Sequence, residues 1–200
     1  LELSAFDFSF LLGNVQSGKC DLAIGGITVT EERKEILNFT DTYYESPVVM
    51  VTKGYNSETT HLSDLAGKRV GVMTGSIQAV MMPELVPDAE YMEFNSISDL
   101  IAALNSNRID AFGCDESLYT SMLWEGQAVD RIDEPLDKSN YGLIFPKGKR
   151  KELLNEVNEY IAKVGSDGTL KALEEKWFGA KEPTEFTSYD NLNGTNGTIT

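Results

Sequence analysis

Residues 21–47 read Asp-Leu-Ala-Ile-Gly-Gly-Ile-Thr-Val-Thr-Glu-Glu-Arg-Lys-Glu-Ile-Leu-Asn-Phe-Thr-Asp-Thr-Tyr-Tyr-Glu-Ser-Pro. The apolar run at 22–25 predicts a short buried strand, and Gly25-Gly26 predicts a turn at its end. Past the turn the chain offers free backbone groups and the Thr28 hydroxyl. Arg33 follows on what reads as a short helix. A turn, a hydroxyl and a guanidinium at this spacing can hold a small carboxylate with its amine nearby. That is the chemistry of capture rather than of bond-making.

The chain contains a faint internal repeat. Residues 17–22, Ser-Gly-Lys-Cys-Asp-Leu, match 106–111, Ser-Asn-Arg-Ile-Asp-Ala. Each copy follows an amphipathic helix and opens a strand. Phe8, Leu11, Leu12 and Val15 recur at helical spacing in the first copy; Ile97, Leu100, Ile101 and Leu104 do so in the second, with Ser96 or Ser98 as N-cap. Gly18 and Asn107 stand where a left-handed residue ends a helix. Helix followed by strand, twice, predicts α/β units with parallel strands.

The remaining segments fit two such units. Strands are predicted at 1–4, 48–53, 69–73, 111–114 and 141–145, and a short helix or turn at 62–67. Helices are predicted at 77–82, stopping before Pro83, and at 117–125, 150–164 and 169–177. The chain leaves the first unit near residue 50, builds the second to about 138 and returns. Lobe 1 is thus expected at 1–50 and 139–188, lobe 2 at 51–138, and a linker or the start of a following repeat at 189–200. Two crossings between two lobes make a hinge. Ligands of such sheets sit at the carboxyl ends of the strands, here 25–28, 74–77 and 114–116, facing one cleft.

Composition limits the choice of function. With 17 Lys and Arg against 32 Asp and Glu, the net charge is −15, which disfavours nucleic acid and adsorption to anionic lipid. No run approaches the roughly 20 apolar residues of a membrane span. The two cysteines, Cys20 and Cys114, have no metal-ligand spacing and fall in different units, so free thiols are expected. The single histidine, His61, reads as a solvated loop residue. No metal or cofactor is expected, and a Ser-His-Asp or Cys-His arrangement has no suitably placed base, which leaves a carboxylate such as Asp115 or Glu116 as the alternative base for a catalyst.

The blocks Gln-Ser-Gly-Lys-Cys-Asp-Leu-Ala-Ile-Gly-Gly-Ile-Thr-Val-Thr-Glu-Glu-Arg, Asn-Phe-Thr-Asp-Thr-Tyr-Tyr, Leu-Ala-Gly-Lys-Arg-Val-Gly-Val and Asp-Gly-Thr-Leu-Lys-Ala-Leu-Glu-Glu-Lys-Trp-Phe-Gly resemble those of family 3 extracellular solute-binding proteins. The resemblance covers about residues 4–179. It implies a two-lobed type II periplasmic-binding-protein fold, α/β, each lobe a mixed sheet flanked by helices. It also implies an extracytoplasmic, bacterial amino-acid receptor serving the permease of an ABC importer, separate or fused.

A free amino acid is a zwitterion, and burying its charges unpaired costs several kcal/mol per ion. A closing cleft must supply a cation and an anion. Arg33, whose planar fork pairs a carboxylate bidentately, is the expected cation. Asp115, just past a strand of the second unit, is the expected anion for the ammonium. The Gly26 carbonyl and Thr28 hydroxyl are expected to accept from the same ammonium, and the amides of Ser76 and Ile77 to donate to the carboxylate. By resemblance, these match ligand-contacting positions of the family, and Phe8 matches its aromatic wall. Met73 and Glu116 are placed toward the ligand side chain, weighed against packing and solvent exposure.

The resemblance further implies a strand and helix ahead of Leu1, with the strand central in lobe 1. Residues 197–200 are expected to fill that slot, in the same chain or in a strand-exchanged dimer. The resemblance is also compatible with a ligand-sensing domain of a larger receptor and with a small-carboxylate dehydratase on the same fold.

Overall fold

The computed structural model describes residues 1–54, 58–134 and 136–179. The first elements are α1 (Phe8–Gln16), α2 (Glu31–Ile36), β1 (Leu37–Phe39) and β2 (Tyr44–Lys53). Then come β3 (Arg69–Met73), α3 (Gln78–Leu85), β4 (Glu90–Phe94), α4 (Ile97–Asn105), β5 (Ala111–Asp115) and α5 (Glu116–Trp124). The chain continues through β6 (Val129–Arg131), β7 (Lys138–Tyr141), β8 (Ile144–Pro146), α6 (Lys151–Ser166) and α7 (Thr169–Phe178).

The larger lobe is built on the order β4-β3-β5-β2-β6, with β7 pairing the start of β2. β3 is parallel to β4 and β5, whereas β2 is antiparallel to β5 and β6. Helices α3 and α4 make the crossovers that parallel neighbours require. Both faces of this sheet are buried, and β2 shows why. Val49 and Val51 point into a cluster with Leu100, Leu104, Ile109 and Phe112; Val48 and Met50 point the other way, to Leu65, Val70, Val72 and Met82. That is the two-residue period of a strand with apolar cover on both sides. At Gly71 a Cβ would stand 2.6 Å from Leu100 Cδ2 and 2.7 Å from Ile109 Cδ1, so the close approach of α4 to β3 needs glycine there.

β2 is the joint. Its first residues, Tyr44–Pro47, pair with β7, and Val48–Lys53 pair with β5 and β6. The two chain crossings therefore run side by side as an antiparallel ribbon. The smaller lobe has a two-stranded sheet, β1 with β8, and isolated bridges Ala23–Ile144 and Thr28–Tyr141. Its core is Val15, Ile27, Leu37 and Ile144, with Phe8, Leu11, Leu12 and Phe39 packed on it. Neither α6 nor α7 carries a fully buried residue.

Several expectations are corrected. Residues 1–4 form no strand, and Leu1 and Leu3 are fully exposed; a strand needs a partner for its backbone groups, and none lies beside them among the described residues. The 22–25 strand is reduced to the single bridge at Ala23, for the same reason. α3 runs through Pro83, its last turn held by fully buried Met82 and by the Tyr91 hydroxyl, whose single proton is shared between the carbonyls of Met82 and Val86. His61 is exposed in its loop, as expected, and stands there at the N-cap of the 3-10 turn Leu62–Leu65 with its Nδ1 2.8 Å from Glu134 Oε1. β1, β4 and β6 are additional strands. Residues 180–200, with the slot-filling and strand-exchange expectations, lie outside the described residues. Cys20 and Cys114 are free, the latter buried. Gly18 and Asn107 take left-handed φ of 78° and 58°, as their places predict.

Candidate functional site

A cavity of about 450 Å³ lies where the lobes meet. Phe8, Gly26 and Thr28 line it from the smaller lobe, and Met73, Ser76, Ile77 and Asp115 from the larger. Tyr43, Tyr44 and Tyr141 line it from the joint. Of the residues named from sequence, Arg33 and Glu116 are not in the wall. Glu116 pairs with Arg131 on the exposed side of α5. Arg33 stands beside the cavity, behind Thr28.

The local sequence explains Arg33. Thr30 caps α2 by accepting from the Arg33 backbone N–H, which orients the first turn. The side chain then points inward and is only 8% exposed. Its Nη1 donates to the Thr28 carbonyl at 2.7 Å and its Nη2 to the Gly75 carbonyl at 2.9 Å. Gly75 belongs to the larger lobe, so the guanidinium already bridges the two lobes. Burial lowers the Arg33 pKa, opposed by the charges of Glu32 and Asp115.

Asp115 ends β5 at the N-cap position of α5 yet makes no capping bond. Its carboxylate turns instead to three donors: Gln78 Nε2 at 2.9 Å and Ser139 Oγ at 2.6 Å on Oδ1, and the Tyr141 hydroxyl at 2.6 Å on Oδ2. A carboxylate has about four acceptor positions, so one is left, on the oxygen shared with Tyr141. Burial raises the Asp115 pKa, while those hydrogen bonds and Arg33 pull it back. Tyr141 is pushed well up by burial and by the Asp115 charge, so it stays a donor. The Ser117 hydroxyl lies 3.3 Å from the Tyr141 oxygen, and the Ser117 amide donates to Ser46 Oγ, which extends the network into β2.

The turn residues differ from expectation in detail. Gly26 has φ 64°, a left-handed conformation that favours glycine, and its Cα packs against the Tyr141 ring. The Thr28 carbonyl accepts from Arg33, and the residue itself lines the cavity. The Ser76 amide donates to the Met73 carbonyl at 3.0 Å and is therefore committed within the turn, because the chain reverses there before α3. Ile77 holds the N-cap position of α3. Phe8 belongs to both the smaller core and the cavity wall.

Sequence reasoning missed Gln78, Ser139 and Tyr141, which fix Asp115, and the α7 residues Leu170, Leu173, Glu174, Trp177 and Phe178, which line the cavity. Phe178 stacks at 4.8 Å on Tyr44, itself 5.6 Å from the Tyr141 ring. A buried polar residue inside an apolar run, such as Tyr141 ahead of Gly-Leu-Ile-Phe, was the available signal for one of them.

Two α/β lobes joined by a paired-strand hinge, with a buried cation and anion flanking the cleft between them, define a solute-binding protein of the type II periplasmic kind. Residues 1–180 match the family described as bacterial extracellular solute-binding proteins, family 3, and the chain belongs to it. It is similar to the arginine-binding extracellular protein ArtP of Bacillus subtilis (strain 168), 31% identical over 89% of this chain and 71% of that protein. It also resembles the ABC transporter glutamine-binding protein GlnH of the same strain, 30% identical over 86% of this chain and 62% of GlnH. Among solved structures, an ancestral arginine-binding protein bound to glutamine superposes with a TM-score of 0.82 at 32% identity, covering 90% of this chain and 80% of that one.

Proposed function

We propose that this chain captures a free L-amino acid outside the cytoplasm and presents it to the permease of an ABC importer. The observation that carries the reading is the pair Arg33 and Asp115, buried on opposite lobes and flanking one cleft, close enough for each charge to act on the other. The carboxylate of the ligand replaces the Gly75 carbonyl on the Arg33 fork. Its ammonium takes the remaining acceptor position on Asp115 and the Gly26 carbonyl, with Thr28, Ser76 and Ile77 beside it. Phe8 walls the ligand backbone and Met73 its side chain. The family and the relatives above are binding proteins, in keeping with a receptor rather than a catalyst. Among the described residues no helix is long and apolar enough to cross a membrane.

With lobe 1 assigned to 1–50 and 139–188 and lobe 2 to 51–138, the ligand touches both only when the cleft is closed. Binding then shifts an open–closed equilibrium by its differential affinity, and a permease reads the closed form. Arg33→Ala should weaken amino-acid binding at least about 100-fold in calorimetry, since breaking a buried charge-assisted pair costs several kcal/mol. Arg33→Lys keeps the charge but loses the fork, and should fall between Arg33→Ala and the unaltered protein. Unchanged affinity in both variants, each checked for a native circular dichroism spectrum, would refute the receptor reading.

A further inference from the structure

The cavity has a second half that the zwitterion does not use. Beyond Asp115 and Tyr141 its wall is formed by α7, which presents Leu170, Leu173 and Phe178 with Glu174 among them, facing Tyr44. The cavity lining carries two carboxylates, Asp115 and Glu174, and no cationic side chain. Asp115 has three internal donors; Glu174 has no ion pair among the described residues. Burial raises the Tyr44 pKa, and the charges of Glu174, Glu116 and Asp115 add to it.

From this we infer that the receptor site selects amino acids with a long cationic side chain, the methylene stem lying on Leu170 and Leu173 and the charged head meeting Glu174 and the rings of Tyr44 and Phe178. Three physical comparisons lead there. An anionic side chain is repelled by Glu174. A neutral apolar one is compatible with the leucines but strips water from Glu174 and leaves its charge unpaired. A cation pairs with the carboxylate and is attracted by the π faces, and its stem supplies the apolar contact. The inference rests on the amino-acid receptor reading and names its ligand class.

The test is calorimetry of the whole chain with L-arginine, L-citrulline, L-leucine and L-glutamate. Citrulline reproduces the shape of arginine without the charge. Arginine should bind about tenfold or more tighter than citrulline, with glutamate weakest of the four. Glu174→Gln should narrow the arginine-to-citrulline ratio toward one, and the Phe178→Leu variant should narrow it in part. Citrulline or leucine matching arginine overturns the cationic assignment while leaving the receptor reading intact. No binding by any of a full amino-acid panel overturns both.

Discussion

The two lobes solve the same packing problem to different degrees. In the larger lobe a five-strand path is covered on both faces, and residues such as Phe112, Leu100 and Met50 are fully buried. In the smaller lobe one four-residue core supports a two-stranded sheet, and the apolar stripe of α6 (Leu153, Leu154, Val157, Ile161 and Val164) is only half covered. Burial, not propensity, separates them: α6 has the regular amphipathic spacing, but spacing stabilises a helix only in proportion to the apolar area its partner removes from water. The larger lobe therefore supplies Asp115 and its donor Gln78, while β7 at the joint supplies the other two donors, Ser139 and Tyr141. The smaller lobe contributes Arg33 through one short capped helix.

The largest effect is expected from Phe112→Ala, which empties the centre of the larger core and should cost about 3–5 kcal/mol in urea unfolding; a loss below about 1 kcal/mol would mean that this core is not close-packed. Gly71→Ala should follow. The new methyl meets Leu100 and Ile109 side chains that are themselves fully buried, so overpacking should destabilise by about 1–3 kcal/mol, read in the same titration.

The third prediction concerns the contact between the lobes. Burial holds the folded-state pKa of Asp115 above its ordinary carboxylate value. The folded state therefore binds the proton more tightly than the unfolded chain. The charged form costs stability at neutral pH, and that cost is relieved as pH falls through the raised folded value toward the unfolded one. Only the charged form pairs with an ammonium, so ligand affinity should fall as pH drops through the same window, by up to about tenfold per pH unit. Calorimetry between neutral and mildly acidic pH, compared with Asp115→Asn, should show the slope in the unaltered protein alone. The smallest effect is expected from Val157→Ala on α6, less than about 1 kcal/mol because the side chain is only partly buried and lies outside the core clusters. A cost equal to that of Phe112→Ala would erase the distinction between the lobes.

Much of the fold was legible where periodicity was strong. α1, α4, α6 and α7 fall within a few residues of their predicted spans because apolar side chains recur at helical spacing between clear caps, Ser96 and Gly168 among them. The strands with two apolar faces, β2, β3 and β5, read as continuous β-branched or apolar runs. β4 (Glu-Tyr-Met-Glu-Phe) and β6 (Val-Asp-Arg) carry no such run, and their strand character comes from the neighbours they pair with. The strand expected at 1–4 failed for the converse reason, having suitable residues but no partner. At the site, charge type and position past a strand pointed to Arg33 and Asp115. Gln78, Ser139 and Tyr141 stayed hidden because they are 37, 24 and 26 residues away from Asp115 in the chain.

What the sequence determined by itself was local and chemical: where helices start and stop, which turns demand glycine, and that a guanidinium and a carboxylate lie past strands of two similar units. Those follow from backbone sterics and side-chain charge, which act over a few residues. Only the tertiary structure decided that Arg33 already spans the lobes through Gly75, that Asp115 keeps one acceptor position free, and that α7 faces the cleft with Glu174. These depend on which distant groups exclude water together, and no short stretch of chain encodes that.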